Sequence, residues 1–497
     1  MNTTTYSQLL HLVMPEVIVV LTALVTLAFD LLFLRNYRTR VRFTVAATLA
    51  SAGCVIAILQ LMLAPVQSNL SDGMFLADPL THLVQAALLL LTIVTLLLSV
   101  DSTFTEHVGE FVLLLLLATA GMMFLVAAQD ILVIFISLEL LSLSLYILAA
   151  FDKGTPQSSE AALKYFLFGG VSSAFLLFGF SLLYGLSGST NLTQIASAIH
   201  TPLNPLLVIA IVTTVIGFGF KVAAVPFHFW APDVYEHAPV PVAAFIASAS
   251  KVASFFIFFQ VMLLGFTGVE GSAAWLHFVN GWIPLVAVIA ALSMLLGNLV
   301  AIVQTSVRRL LAYSAIAHTG YMLLALVAHT PQSLAALLYY VLTYGLATLG
   351  IFGVVGVVEK QTGTDRLSSF SGLSRRAPVL SACLFVFVLS LAGIPPLAGF
   401  FGKFYLFVSA LNVAPGSSGL LWLVVFAIAM SAVSLYYYLQ VLKRVFVASP
   451  PDEATPIQAS VLTQTVIVLL AAAVVLLGCA PHLLLQGIMA AIGPAGL

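Results

Sequence analysis

Four lysines and one glutamate lie where an apolar sequence holds no other charge. Lys164, Lys221, Lys251 and Lys403 fall within or just inside long hydrophobic segments, and Glu139 sits near the middle of another, ILVIFISLELLSLSLYILAAF. A charged side chain at membrane depth costs several kcal/mol and marks an ion path or a charge partner. The chemistry these residue types share is proton exchange. Desolvation disfavours the charged form of any ionisable group, so an amine or carboxyl withdrawn from water becomes one that takes up and releases protons. Glu139 reads as a proton-exchanging carboxyl tuned by Lys164 on the following segment; the alternative is a structural ion pair between them.

The sequence around three of these amines is as informative as the amines themselves. In GFGFKVAAVPFHFW, Gly217 and Gly219 precede Lys221 and Pro226 follows it by five positions. In LSLAGIPPLAGFFGKFYLF, Gly393, Pro395, Pro396, Gly399 and Gly402 all precede Lys403. Proline removes a helix hydrogen bond and its ring clashes with the preceding turn, so each segment should be a broken helix. Interrupted helices are tolerated at membrane depth where they line a cavity, and a corresponding pair of them points to an internal repeat around a transport path. Lys251 has Ser248, Ser250 and Ser254 beside it, which suggests a hydrated track through the helix interior. Glu139 and Lys221 are 82 positions apart, and His318 and Lys403 are 85, so His318 in LAYSAIAHTGY falls on the helix matching that of Glu139. There a histidine is suited to relay protons.

These residues require an all-α polytopic membrane protein to hold them. Only 7% of the 497 residues are charged, against about 25% in soluble proteins, and mean hydropathy is +1.15. Apolar stretches long enough to span recur throughout, without the alternation of a β-barrel. Fourteen transmembrane helices fit, in one transmembrane domain over residues 1–497. Three N-terminal helices occupy 1–108, a first five-helix repeat 109–266 (spans 4–8), a second 282–442 (spans 9–13) and a last helix 460–480. An odd number of spans in each repeat makes the two inverted, with helices 7 and 12 discontinuous. The first span has no basic segment ahead of it and no small-residue cleavage site, and is expected to be retained rather than removed as a signal. Of seventeen Lys plus Arg, thirteen fall in loops on one side of this arrangement. The positive-inside rule puts that side in the cytoplasm and both termini in the periplasm, for a protein of the inner membrane.

Other candidates carry less. His228, Asp233, Glu236 and His237 do not follow a metal-ligand geometry and are expected to line a polar entry or fix a loop; no metal is assigned. Glu16, Asp30, Glu110 and Asp130, near span ends, are expected at the membrane surfaces. Cys54, Cys383 and Cys479 read as small buried hydrophobes. No nucleotide loop, CxxC pair or haem motif is present, so electron transfer has no residue to rest on in this chain.

The runs LELLSLSLYILAAF, SSEAALKYFLFGGVSSAFLLFG, GFGFKVAAVPFHFWAPDVYEHAPVPVAAFIASASKVASF, RLLAYSAIAHTGYML and AGIPPLAGFFGKFYLF occur in the order, and over nearly the whole length, of the antiporter-like subunits of respiratory complex I, which the chain resembles. Within that family the resemblance is to the member that lacks a long lateral helix after the fourteenth span and carries lysine rather than glutamate at position 403. It implies the fourteen-helix fold with inverted repeats. It also implies proton translocation by a relay of Glu139, Lys164, Lys221, Lys251, His318 and Lys403, coupled to NADH oxidation and quinone reduction in other subunits. This chain would hold no cofactor; NADH, FMN, iron–sulfur clusters and quinone would belong to the complex, whose membrane and peripheral subunits would be its partners. A multi-subunit Na⁺/H⁺ antiporter and the plastoquinone-reducing photosynthetic complex are the alternatives. His237 stands where the family often has glycine.

The charge pattern makes a topological prediction. Tags at the two termini should both be reachable from outside the cytoplasmic membrane, and one at Ser368 only from the cytoplasm. Termini on opposite sides would remove the even span count and the inverted repeat with it.

Overall fold

A computed structural model of the chain describes residues 12–63, 67–70, 73–199, 203–411, 419–450 and 456–493. In chain order the main helices are α1 Met14–Phe29, α2 Thr39–Leu63, α3 Pro79–Ser99, α4 Val108–Ala127, α5 Ile131–Ala149 and α6 Pro156–Ser187. There follow α7 Pro205–Val222, α8 Trp230–His237, α9 Val240–Ala247, α10 Ala249–Gln260, α11 Trp282–Ala301, α12 Val307–Ala328 and α13 Pro331–Thr362. The last are α14 Pro378–Ala392, α15 Ala398–Leu411, α16 Leu421–Phe446, α17 Val461–Cys479 and α18 His482–Ile492. Sheet among the described residues is confined to two small antiparallel hairpins.

Thirteen helices among the described residues are long and apolar enough to cross a membrane, and the expected twelfth span is present as the two shorter helices α14 and α15. The all-α reading with breaks in spans 7 and 12 therefore holds. The local signals are legible in the chain. Asp78 caps α3, accepting from the Thr81 N–H at 2.7 Å with Pro79 at the first helical position. Thr330 and Ser333 form a reciprocal capping box that starts α13, and Gly363, with φ 74°, ends it. Side-chain oxygens and left-handed residues satisfy or release the end groups that a helix cannot bond internally.

The chain folds as two compact units. The first takes everything up to Lys221, returns for Ala249–Glu270 and resumes at Ile488; the second takes Val222–Ser248 and Gly271–Gly487. In the first, α1 packs on α2 and α4, α5 on α4 and α6, and α10 on α3 and α4. In the second, α11 packs along α12, α9 against α13, and α15 against both α12 and α13.

Two carboxylates of span 1 are buried within the first unit. Asp30, fully buried, accepts both Nε and Nη2 of Arg42, at 2.9 and 2.5 Å, and the Gly109 N–H at 3.0 Å, tying together the segments that carry α1, α2 and α4. Glu16, 3% exposed, accepts from Gln85 Nε2 at 2.6 Å. A carboxylate near a helix end is free to turn inward when a guanidinium or amide waits there, which spacing along one helix does not reveal.

In lipid, helices gain little from hiding apolar surface and associate by close packing of small residues. The α11–α12 pair shows this. A methyl group at Gly297 would lie 2.5 Å from the Ala317 nitrogen, and one at Gly320 2.6 Å from Met294 Cγ. Gly297→Leu should therefore lower the amount of folded protein recovered from membranes severalfold, because the obstacle is backbone. Wild-type yield of this variant would mean that α11 and α12 do not need this contact.

Candidate functional site

In the first unit, α5 presents Glu139, Ser142 and Tyr146 at helical spacings of three and four, on one face. That face meets Lys221, in the last turn of α7 and 9% exposed. Lys221 Nζ donates to the Ser142 hydroxyl and lies 3.5 Å from the Tyr146 hydroxyl. Glu139 accepts a hydrogen bond from Ser173 on α6 at 2.5 Å. Lys164 makes its ion pair one turn back along α6, with Glu160 at 2.8 Å. Lys251, 2% exposed, is in the first turn of α10. Ser248, with φ −115° and ψ −85°, divides span 8 into α9 and α10 three residues before the lysine. The Ser248 hydroxyl turns back to the Ala244 carbonyl at 2.7 Å, while Ser254, on the Lys251 face, has no hydrogen-bond partner among the described residues.

Span 7 ends α7 at Val222, and the next residue, Ala223, adopts a left-handed φ of 59°. In the second unit the backbone groups released there are taken up by side chains of two other helices. Thr319 on α12 donates to the Val222 carbonyl at 2.7 Å, and the Val225 N–H donates to Ser293 on α11 at 2.9 Å. The chain then forms α8, held by two arginines at the start of α12. Arg308, 4% exposed, donates to the Tyr235 and Ala238 carbonyls at the C-terminal end of α8, and to Glu359 at 3.1 Å. Arg309 bridges Asp233 and Glu236 at 3.0 and 2.7 Å. These acids therefore anchor α8, as the loop-fixing reading expects. His237 lies 3.7 Å from Glu236, and His228 is buried and stacked on Phe229.

Span 12 breaks differently. Gly393, with φ 84°, ends α14, and the Gly399 N–H donates back to the Ser390 hydroxyl at 3.0 Å. The last carbonyl of α14, Ala392, is satisfied by Lys403 itself: Nζ donates to it at 3.2 Å and to Ser431 on α16 at 2.9 Å. Helical side chains point toward their helix N-terminus, which aims Lys403 from α15 back across the break.

His318, 1% exposed, has a tyrosine at each ring nitrogen. Nδ1 is 2.6 Å from the Tyr340 hydroxyl and Nε2 3.0 Å from that of Tyr438, which also bonds Ser314. A neutral imidazole donates from one nitrogen and accepts at the other. One tyrosine must therefore donate to it and the other accept, and exchanging the two tautomers moves a proton through the ring. Sequence reasoning passed over these tyrosines. The signal was present: LLYYVLTYG in span 11 and SLYYYLQ in span 13 place several hydroxyls at membrane depth.

Residues 128–431 match the family described as NADH:quinone oxidoreductase/Mrp antiporter, TM. The chain is 55% identical over 496 residues to NADH-quinone oxidoreductase subunit N 2 of Acidobacterium capsulatum, covering 98% of this chain and 99% of the relative. It is 43% identical to NAD(P)H-quinone oxidoreductase subunit 2 of Trichodesmium erythraeum, over 88% of this chain and 82% of that one. Among solved structures it is similar to a chain of respiratory complex I from Thermus thermophilus with bound Aureothin, with TM-score 0.77, 33% identity, and coverage of 95% of this chain and 98% of that one.

The bond between Thr319 and Val222 can be tested without changing volume. Thr319→Val should lower stability by about 1–2 kcal/mol, read as an earlier midpoint of heat inactivation in detergent, and Thr319→Ser should restore most of it. An unchanged midpoint for the valine variant would show that the carbonyl finds another donor.

Proposed function

The chain belongs to the transmembrane family of NADH:quinone oxidoreductases and Mrp antiporters, and from that membership we propose that it is a proton-translocating membrane subunit of an NADH–quinone oxidoreductase, of the subunit N type. It sits in the bacterial inner membrane with both termini in the periplasm. Its partners are the other membrane subunits and the peripheral subunits that hold FMN, iron–sulfur clusters and the sites for NADH and quinone. It contributes to the translocase by carrying protons, through two five-helix repeats of inverted topology, while electrons pass elsewhere.

One observation carries the relay reading. Lys221 and Lys403, both buried, hydrogen-bond neutral groups only: Lys221 has the Ser142 and Tyr146 hydroxyls, and Lys403 has the Ser431 hydroxyl and the Ala392 carbonyl. A lysine locked to a carboxylate must stay charged, because losing its proton orphans the partner. A hydroxyl either accepts from an ammonium or donates to the lone pair of a neutral amine. Tyr146 and Ser431 therefore suit both states of the amine they touch, while Ser142, whose proton goes to the Leu138 carbonyl, accepts from Lys221.

In the first unit, Glu139 exchanges protons with Lys164 modulating it, and Lys221 and Lys251 hold protons at Nζ. In the second, His318 passes a proton between Tyr340 and Tyr438, and Lys403 is the terminal exchange group. The likeness of a full-length relative named as an oxidoreductase subunit favours this reading over a stand-alone antiporter.

In reconstituted complex, Glu139→Gln and Lys221→Met should each lower proton translocation and linked NADH oxidation severalfold at normal assembly. The double variant should be far less defective than the product of the two losses, because each already interrupts one shared step. Multiplicative losses would show the two residues acting independently. Lys403→Ala should lower the proton-to-electron ratio, and Lys403→Arg should not restore it, since guanidinium does not give up its proton. A wild-type ratio in fully assembled Lys403→Ala enzyme would reduce this lysine to a packing residue.

A further inference from the structure

Asn298 lies in α11 with no exposed surface, and its carboxamide makes three hydrogen bonds within the second unit. Nδ2 donates to the Met294 carbonyl at 2.7 Å and to the Tyr321 hydroxyl at 3.0 Å; Oδ1 accepts from the Tyr437 hydroxyl at 3.1 Å. The first bond decides which way the amide faces. A peptide carbonyl only accepts, so the atom beside Met294 must be nitrogen. The other two directions follow. Tyr437 is obliged to give its proton to Oδ1. Tyr321 receives a hydrogen bond and keeps its own proton for a partner other than Asn298.

The tyrosine left with its proton is the one beside both exchange groups of this unit. The Tyr321 ring centroid is 5.0 Å from Lys403 Nζ and 5.7 Å from the His318 ring. Tyr437, whose proton is committed, packs at 4.5 Å on Tyr438, the partner of His318 Nε2. Asn298 hydrogen-bonds neither His318 nor Lys403, yet it sets the hydrogen-bond direction of the phenol beside them. The amide achieves this because it alone among neutral side chains offers a fixed donor and a fixed acceptor a short distance apart; a hydroxyl in its place could rotate and reverse both bonds. At this depth a carboxamide is retained only when its bonds are met, and here all three partners are in place.

We propose that Asn298 is a positioning residue for proton exchange, keeping the hydroxyl proton of Tyr321 off residue 298 on the ring that Lys403 Nζ and the His318 ring pack against. The inference rests on the relay reading above. Asn298 takes no proton itself; it excludes the arrangement in which Tyr321 spends its proton on residue 298.

The test uses the intact complex in proteoliposomes, with assembly quantified and proton translocation followed alongside NADH oxidation. Asn298→Leu removes all three bonds. Asn298→Asp keeps the shape but replaces the donor with an acceptor, so Tyr321 turns its proton toward residue 298. Both should lower proton translocation about tenfold and reduce the proton-to-electron ratio. In a Tyr321→Phe background, which keeps the ring and loses the hydroxyl, Asn298→Leu should add little further loss. A packing defect would not depend on that hydroxyl, so multiplicative losses overturn the proposal, as does a wild-type ratio in either fully assembled Asn298 variant. Should Lys403→Ala and His318→Gln also be silent in the same assay, the relay reading itself has failed; silence of the Asn298 variants alone sinks only this inference.

Discussion

A helix that stops inside a membrane leaves peptide groups with no water to bond, and each one left bare costs several kcal/mol. Much of this protein can be read as the answer to that constraint at two places. At the span 7 break, the freed carbonyl of Val222 and N–H of Val225 are met by Thr319 and Ser293, from helices that come far later in the chain. At the span 12 break, the N–H of Gly399 is met by Ser390 of the same span, and the carbonyl of Ala392 by Lys403. One break is held from outside and the other holds itself. The difference follows from where the lysine sits. Lys221 precedes its break and points back along α7, away from the opened turn. Lys403 follows its break and points into it.

The same constraint shapes what surrounds the charges. A buried ammonium must be wrapped by protein that offers acceptors. Over its most apolar stretch Val307–Ala328, which carries His318 and Thr319, is 94% buried, whereas Leu421–Phe446, which lends Ser431 to Lys403, is 33% buried. For Lys221 and Lys403 the acceptors are hydroxyls and a backbone carbonyl rather than carboxylates. The acids that might have competed are engaged elsewhere: Asp30 by Arg42, Asp233 and Glu236 by Arg309, and Glu359 by Arg308. Arg308 also caps the carbonyl end of α8, where a cation is favoured by the helix dipole as well as by the hydrogen bonds.

The sequence by itself determined the class of protein and where the charges within its apolar segments lie. Charges are so costly in lipid that four lysines and a glutamate in apolar segments announce themselves, and glycine and proline around Lys221 and Lys403 dictate breaks through local backbone chemistry alone. Only the tertiary structure decided what each charge touches. Partners such as Ser142 for Lys221, Ser431 for Lys403, or Tyr340 and Tyr438 for His318 lie 79, 28, 22 and 120 positions away in the chain, and a hydroxyl is cheap enough in a helix to carry no signal of its own. The partners of Asp30 and Glu16 were hidden for the same reason: a position near the end of a span says how far a carboxylate is from water along one helix, and nothing about the arginine or glutamine that a neighbouring helix brings to it. The break at Ser248 was equally hidden, because serine permits a helix and does not forbid one, so its backbone angles were settled by packing rather than by residue type.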